Sequence, residues 1–154
     1  MKKVLIDLNV YIAAEWDKKK EAIEFLGKVR KYNVITPVLI LFYILRNWKY
    51  RKLVDKIFNV IDKVTTTYVG TAQTNLKSIQ LVNLPLRIFV RRISKTVGIP
   101  LDDARLIAYA ALNEAEFLVT YDKKHLKNKE KEIADFLKKY NLLPLKIILP
   151  NEEL

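Results

Sequence analysis

Cysteine is absent from this chain of 154 residues, so disulfides, zinc–thiolate sites and thiol nucleophiles are excluded. Histidine occurs once, as His125, which argues against a histidine-rich metal site and against a Ser-His-Asp triad with a histidine to spare. Glycine occurs only three times, and no internal repeat, linker or low-complexity tract interrupts the sequence. One domain over residues 1–154 is the expectation. Long hydrophobic runs are also missing. The longest, residues 38–45, is too short to cross a bilayer, and the apolar stretch after Lys3 is far shorter than the core of a secretory leader. Both absences predict a cytoplasmic protein with no membrane partner.

What is present suits a folded domain. Hydrophobic residues make up 51% of the chain, and its length allows a core that needs no covalent staple. Charge is one-sided: 28 Lys and Arg face 17 Asp and Glu, a net +11. A surplus of that size favours a polyanionic partner, nucleic acid first. The plainer explanation is a lysine-rich solvated surface of the kind heat-stable proteins carry.

Apolar or β-branched runs at residues 3–7, 34–36, 65–69, 117–120 and 145–149 read as strands. Helical spacing marks residues 10–14, 17–32, 37–46, 50–64, 71–80, a stretch after Pro85, 104–113 and 128–140. Thr36 suits the cap and Pro37 the first position of the helix at 37–46. That helix is apolar nearly all round, which predicts burial or an interface. Asp102 or Asp103 suits the cap of the helix at 104–113. Alternating strands and helices predict an α/β fold in which a mainly parallel sheet lies between two helical layers.

In such sheets ligands bind beyond the carboxyl ends of the strands. Asp7 and Asp122 both follow predicted strands, and Asp103 opens a helix on the same rim. Three carboxylates brought together repel unless a cation joins them, and oxygen donors select Mg²⁺ or Mn²⁺. Ions of that kind activate water and neutralise charge on a phosphodiester during transfer. Each aspartate also has a simpler role open to it. Asp7 can cap the next helix, Asp102 and Asp103 can complement a helix dipole, and Asp122 can anchor an Asx-turn.

These motifs carry a resemblance. Leu5-Ile6-Asp7-Leu8-Asn9, Asp103-Ala104-Arg105-Leu106-Ile107, Phe117-Leu118-Val119-Thr120-Tyr121-Asp122 and Pro150-Asn151-Glu152-Glu153 together resemble, in order and spacing, the PIN domains. Those are metal-dependent ribonucleases that include the VapC-like toxins of VapBC toxin–antitoxin pairs. The resemblance implies a three-layer α/β/α fold and RNA hydrolysis with Mg²⁺ or Mn²⁺ at Asp7, Asp103 and Asp122. It implies Asn9 and Thr120 as supporting hydrogen-bond partners, an antitoxin protein and a homodimer. One departure stands out. The family places a glutamate on the helix after the second strand, and here that helix has no acid, with Phe42 or a neighbour at the aligned position. Asp102 is a candidate to replace the missing ligand in part, and Glu114 or Glu116 are others. The alternative is a catalytically impaired PIN-like module that binds RNA or a protein. A phosphatase or receiver domain using Asp7 as nucleophile fits less well, because Asn9 stands where such phosphatases want a second aspartate.

Basic clusters extend the nucleic-acid reading. Arg87, Arg91 and Lys95 recur at helical spacing with Arg92 beside them, a stripe suited to RNA phosphates or, more simply, to solvent. Arg46, Lys49, Arg51 and Lys52 form a second cluster interleaved with Trp48 and Tyr50, which suit base stacking or packing. Lys123, Lys124, Lys127, Lys129 and Lys131 follow Asp122 and suit RNA guidance. His125 reads as a packed or exposed histidine rather than a catalyst.

Overall fold

The first strand, β1 (Lys3–Ile6), takes three consecutive apolar residues into the interior, and they divide between two cores. Val4 and Ile6 face one core and Leu5 the other, because successive side chains of a strand point to opposite faces. An apolar run without alternation is what a strand covered on both faces requires. The computed structural model describes every residue except Trp48, Tyr50 and Glu153. The stacking role considered for Trp48 and Tyr50, and the last residue of the C-terminal motif, therefore lie outside the described residues.

After β1 come α1 (Leu8–Glu15), α2 (Lys20–Lys28), β2 (Asn33–Pro37), α3 (Val38–Asn47), α4 (Arg51–Val64) and β3 (Thr67–Val69). The chain continues through α5 (Thr71–Val82), α6 (Leu86–Ile93), α7 (Leu101–Leu112), β4 (Phe117–Val119), α8 (Glu130–Lys139) and β5 (Lys146–Ile148). All four strand pairings are parallel, and the order across the sheet is β3-β2-β1-β4-β5. Leu5 lies opposite Ile35 on one side and Leu118 on the other. One core packs α1, α2 and α4 on the sheet through residues such as Tyr11, Phe25 and Ile57. The other packs α6, α7 and α8 through Phe89, Ile107 and Phe136. The three-layer α/β/α expectation holds.

The order of the strands positions the site. The chain steps outward from β1 to β2 and β3, then returns to lay β4 on the other side of β1. Reversing direction across the sheet sends the later helices to the opposite face, because parallel crossovers keep one hand. The connections leaving β1 and β4 therefore diverge, and a crevice opens between them.

Several local expectations need correction. The helix foreseen over 17–32 is shorter, beginning at Lys20 and closing in a 3₁₀ turn at Val29–Lys31. Lys18 adopts φ 53, a left-handed kink that separates α1 from α2. Thr36 and Pro37 end β2 instead of starting α3, and the Thr36 hydroxyl bonds that of Thr65 at 2.8 Å rather than capping. Asp102 and Asp103 do not cap α7. The helix starts at Leu101 behind Pro100, and both acids sit in its first turn, where negative charge complements the helix dipole. Between α6 and α7 the chain forms a π-helical turn, Ser94–Gly98, which Gly98 leaves at φ 79.

Candidate metal centre and its groove

Asp7 follows β1 directly and occupies the cap position of α1, yet its side chain makes no cap bond. Its Oδ2 instead accepts hydrogen bonds from the Thr120 hydroxyl at 2.8 Å and the Asn9 amide at 3.1 Å. The same Asn9 amide reaches Thr120 Oγ1 at 3.2 Å, and its Oδ1 accepts the Tyr121 N–H at 3.1 Å. Asn9 and Thr120 thus tie the end of β1 to the end of β4, as groups supporting a site's ligands do. Thr120 is fully buried, and its hydroxyl also accepts the Asp122 N–H at 3.0 Å.

Asp122 sits in the loop just beyond β4, where its Oδ1 accepts the His125 N–H at 2.9 Å. That bond runs to the third residue on, not to the second as in the Asx-turn foreseen for Asp122. It leaves Oδ2 facing inward, 3.5 Å from Nδ1 of His125. Asp103 reaches the same nitrogen at 3.6 Å from the first turn of α7. One donor atom from each of Asp103, Asp122 and His125 lies within 4.8 Å of the other two. Asp7 falls outside this tight set of three but adjoins it, since its charge acts on Asp103.

Electrostatics follow from the crowding. Burial pushes the Asp103 carboxyl up to about 6, with Asp122 and Asp7 adding repulsion and His125 opposing it. Burial also raises Asp7, opposed by the hydrogen bond from the Thr120 hydroxyl and by the nearby N–H dipoles of Asn9 and Leu8, with repulsion from Asp122 a smaller cause. Two carboxyls held above their ordinary range in one crevice mark a place where a cation would be favoured.

The substitutes considered for the missing glutamate do not join this cluster. Asp102 is 80% exposed and pairs with Arg105 at 2.9 Å. Glu114 pairs with Lys3 at 3.6 Å, and Glu116 accepts the Lys3 N–H at 3.1 Å. Lys3 begins β1 whereas Asp7 follows its end, so both glutamates lie at the wrong edge of the sheet.

From Asp7 and Asp103 a groove of about 1350 Å³ runs between α3 on one side and α5, α6 and α7 on the other. That exceeds the usual range of small-ligand pockets, roughly 300–1,000 Å³. Arg46, Arg87, Arg91 and Arg105 line it, together with Phe42 and Tyr43. The basic stripe foreseen on α6 divides. Arg87 and Arg91 line the groove, while Arg92 donates to the Tyr140 hydroxyl at 3.2 Å and, like Lys95, is not part of the wall. In the lysine run, Lys127 bonds the Ile147 carbonyl at 2.6 Å and pairs with Glu130 and Glu152. Lys123 and Lys124 stay exposed.

Sequence reasoning set His125 aside as packed or exposed, put Arg46 in the second basic cluster, and passed over the groove residue Arg105. A signal for His125 existed: three residues after Asp122, in a loop beyond a strand end, it cannot be far from that carboxylate.

The sequence matches no protein-family model and no curated protein. The fold does have a likeness among solved structures. It is similar to a chain in the crystal structure of VapBC2 from Rickettsia felis bound to a DNA fragment from their promoter. The TM-score is 0.60 at 10% identity, over 96% of this chain and 98% of that one. At that identity the likeness shows the fold alone, which is PIN-like. Among the described residues, no helix is long and apolar enough to cross a membrane.

Proposed function

We propose that this protein is a metal-dependent endoribonuclease of the VapC-like kind, the toxin of a toxin–antitoxin pair. One observation carries the reading. Asp7 and Asp103 line the head of a groove whose walls hold four arginines, and Asp122 stands beside Asp103 across the same His125 nitrogen. Acids alone would repel a polyanion and arginines alone would only bind it. Together they suit a phosphodiester held by guanidinium groups with one phosphate next to the acids. The PIN-like fold and its likeness to a VapBC2 chain support an antitoxin partner.

The donor set fits Mg²⁺ or Mn²⁺, because carboxylates within a few ångströms of one another are hard ligands that leave room for water and phosphate. When bound, such an ion supplies an activated water and neutralises charge on the phosphate. The chain's own residues do the rest. Thr120 and Asn9 hold Asp7 in place, and Arg87 and Arg91 bind backbone phosphates and fix the strand in register. Incubation of single-stranded RNA with the protein and millimolar Mn²⁺ tests the proposal. Cleavage that EDTA abolishes, and that Asp103→Asn abolishes, is expected. Intact RNA under those conditions refutes it.

One observation favours a second reading, a PIN-like module that binds RNA or protein without cutting. No acid stands on α3, and Phe42, 63% exposed, lines the groove where an acid would be needed. RNA bound without cleavage, at any metal concentration, would select that module.

A further inference from the structure

We propose that His125 is a metal ligand, a nitrogen donor beside Asp103 and Asp122 that gives the site a preference for Mn²⁺ over Mg²⁺. The proposal rests on the metal-site reading above and extends it by one ligand.

The site is short of acids. α3 offers no acid, Asp102 is held by Arg105, and Glu114 and Glu116 are at the far edge of the sheet. His125 is the group that stands with the acids. Its Nδ1 lies 3.6 Å from Asp103 Oδ2 and 3.5 Å from Asp122 Oδ2. Those separations are long for N–H···O hydrogen bonds, which cluster near 2.9 Å and weaken beyond about 3.2 Å. They suit donors sharing one ion. Ligand atoms at about 2.1 Å from a common centre stand roughly 3.0 Å apart when adjacent and 4.2 Å when opposite. All three donors lie within 4.8 Å of one another, so a small contraction would bring them onto one ion.

The loop that carries the ring is also held in place. The His125 N–H is bonded to Asp122 Oδ1 at 2.9 Å, and the Lys127 N–H to the Asp122 carbonyl at 3.0 Å. Asp122 is itself fixed to Thr120. The imidazole is 36% exposed, which leaves water and substrate access to the remaining positions around an ion. Carboxylate and water suit Mn²⁺ and Mg²⁺ alike. Imidazole nitrogen is a donor for transition ions, of which Mn²⁺ is the first in the affinity order and Mg²⁺ is not one, so a nitrogen in the set is what favours Mn²⁺.

The same contacts admit a rival role. A protonated His125 would neutralise the two carboxylates as an internal cation and would compete with a metal. The two roles predict opposite signs. Removing a ligand weakens metal binding, and removing a competing cation strengthens it.

Mn²⁺ and Mg²⁺ titrations of the full chain by calorimetry, without RNA, read that sign. For His125→Ala, Mn²⁺ affinity is expected to fall at least about tenfold and Mg²⁺ affinity by less. Pulsed electron paramagnetic resonance of the Mn²⁺-loaded wild type is expected to show ¹⁴N coupling from a directly bound imidazole, absent in His125→Gln. The wild-type spectrum needs no variant, so a folding defect cannot obscure it. Bound Mn²⁺ without nitrogen coupling overturns the proposal, as does equal or tighter binding by His125→Ala. Binding that depends on Asp103 but not on His125 defeats this proposal alone. No Mn²⁺ binding by the wild type defeats the metal site and this proposal together.

Discussion

Asp103 shows how one residue links the site to stability. Its carboxyl ionises at 3.8 in the unfolded chain and at about 6 in the folded protein. Between those values the folded state holds a proton that the unfolded state has lost. Stability without metal therefore falls as pH rises through that window. Asp103→Asn removes that residue's share of the slope and, at pH 7, is expected to raise metal-free stability by on the order of 1 kcal/mol after allowance for solvent screening. Urea unfolding of both proteins at pH 4.5 and 7 checks it, and an identical pH dependence would contradict the crowding described above. Activity should move the other way. Asp7→Asn, Asp103→Asn and Asp122→Asn are each expected to lower Mn²⁺-dependent cleavage by about 100-fold or more, since loss of metal-borne charge stabilisation removes several kcal/mol. Asparagine keeps the hydrogen bonds of a cap or an Asx-turn, so a purely local role would leave the rate unchanged.

Helices α3 and α6 decide how the groove meets its partners. Among the described side chains of α3 only Ile44 is fully buried, while Leu39, Phe42 and Leu45 are exposed on one helical face. An apolar helix left so open favours a covering partner, and a second copy of the chain is the proposal for the free protein. Sedimentation at high micromolar concentration should show a dimer that Leu45→Glu converts to monomer. A monomeric wild type would count against it. The opposite wall belongs to α6, and its arginines are not equivalent. Replacing Arg87 and Arg91 by alanine should weaken RNA binding for all sequences and reduce the salt slope by about 0.7 for each phosphate no longer neutralised. Replacing Arg92 and Lys95 should leave the slope unchanged, because neither lines the groove. Equal effects of the two pairs would show that RNA lies along the whole helix and not in the groove.

Taken as a whole, the molecule joins its two cores at the acids. Asp7 extends from a strand shared by both cores, Asp103 from a helix of one, and Asp122 from a loop held to Asn9 by Tyr121. A ligand bridging these groups therefore stabilises the whole fold, not one segment. At a Mn²⁺ concentration about 100-fold above its dissociation constant, the gain is about 2.7 kcal/mol. For a chain of this length that raises the melting temperature by roughly 5–10 °C. Differential scanning calorimetry with Mn²⁺ and with EDTA measures it, and coincident midpoints at millimolar metal would remove the metal site.

The class of fold and the acids were legible in the order of the amino acids. Consecutive apolar residues such as Val4-Leu5-Ile6 suit a strand covered on both faces, and an aspartate after such a strand must stand at its carboxyl end. Local pattern was therefore enough for the positions of Asp7 and Asp122. Helix boundaries were less accessible. Thr36 and Pro37 have the local chemistry of a helix start, but pairing with β3 claims them for the sheet, and Pro100 sets the start of α7 ahead of both acids. Which other charges join the site was settled by packing in three dimensions. Asp102 and Asp103 are neighbours in sequence, yet a helix turns successive side chains about 100° apart, sending one toward Arg105 and the other into the crevice. In the sequence Glu114 is a candidate ligand and His125 is not, and the structure reverses them. Strand β4 separates them, with Glu114 before its first residue and the histidine beyond its last, and the parallel sheet puts acids and groove at only one of those ends.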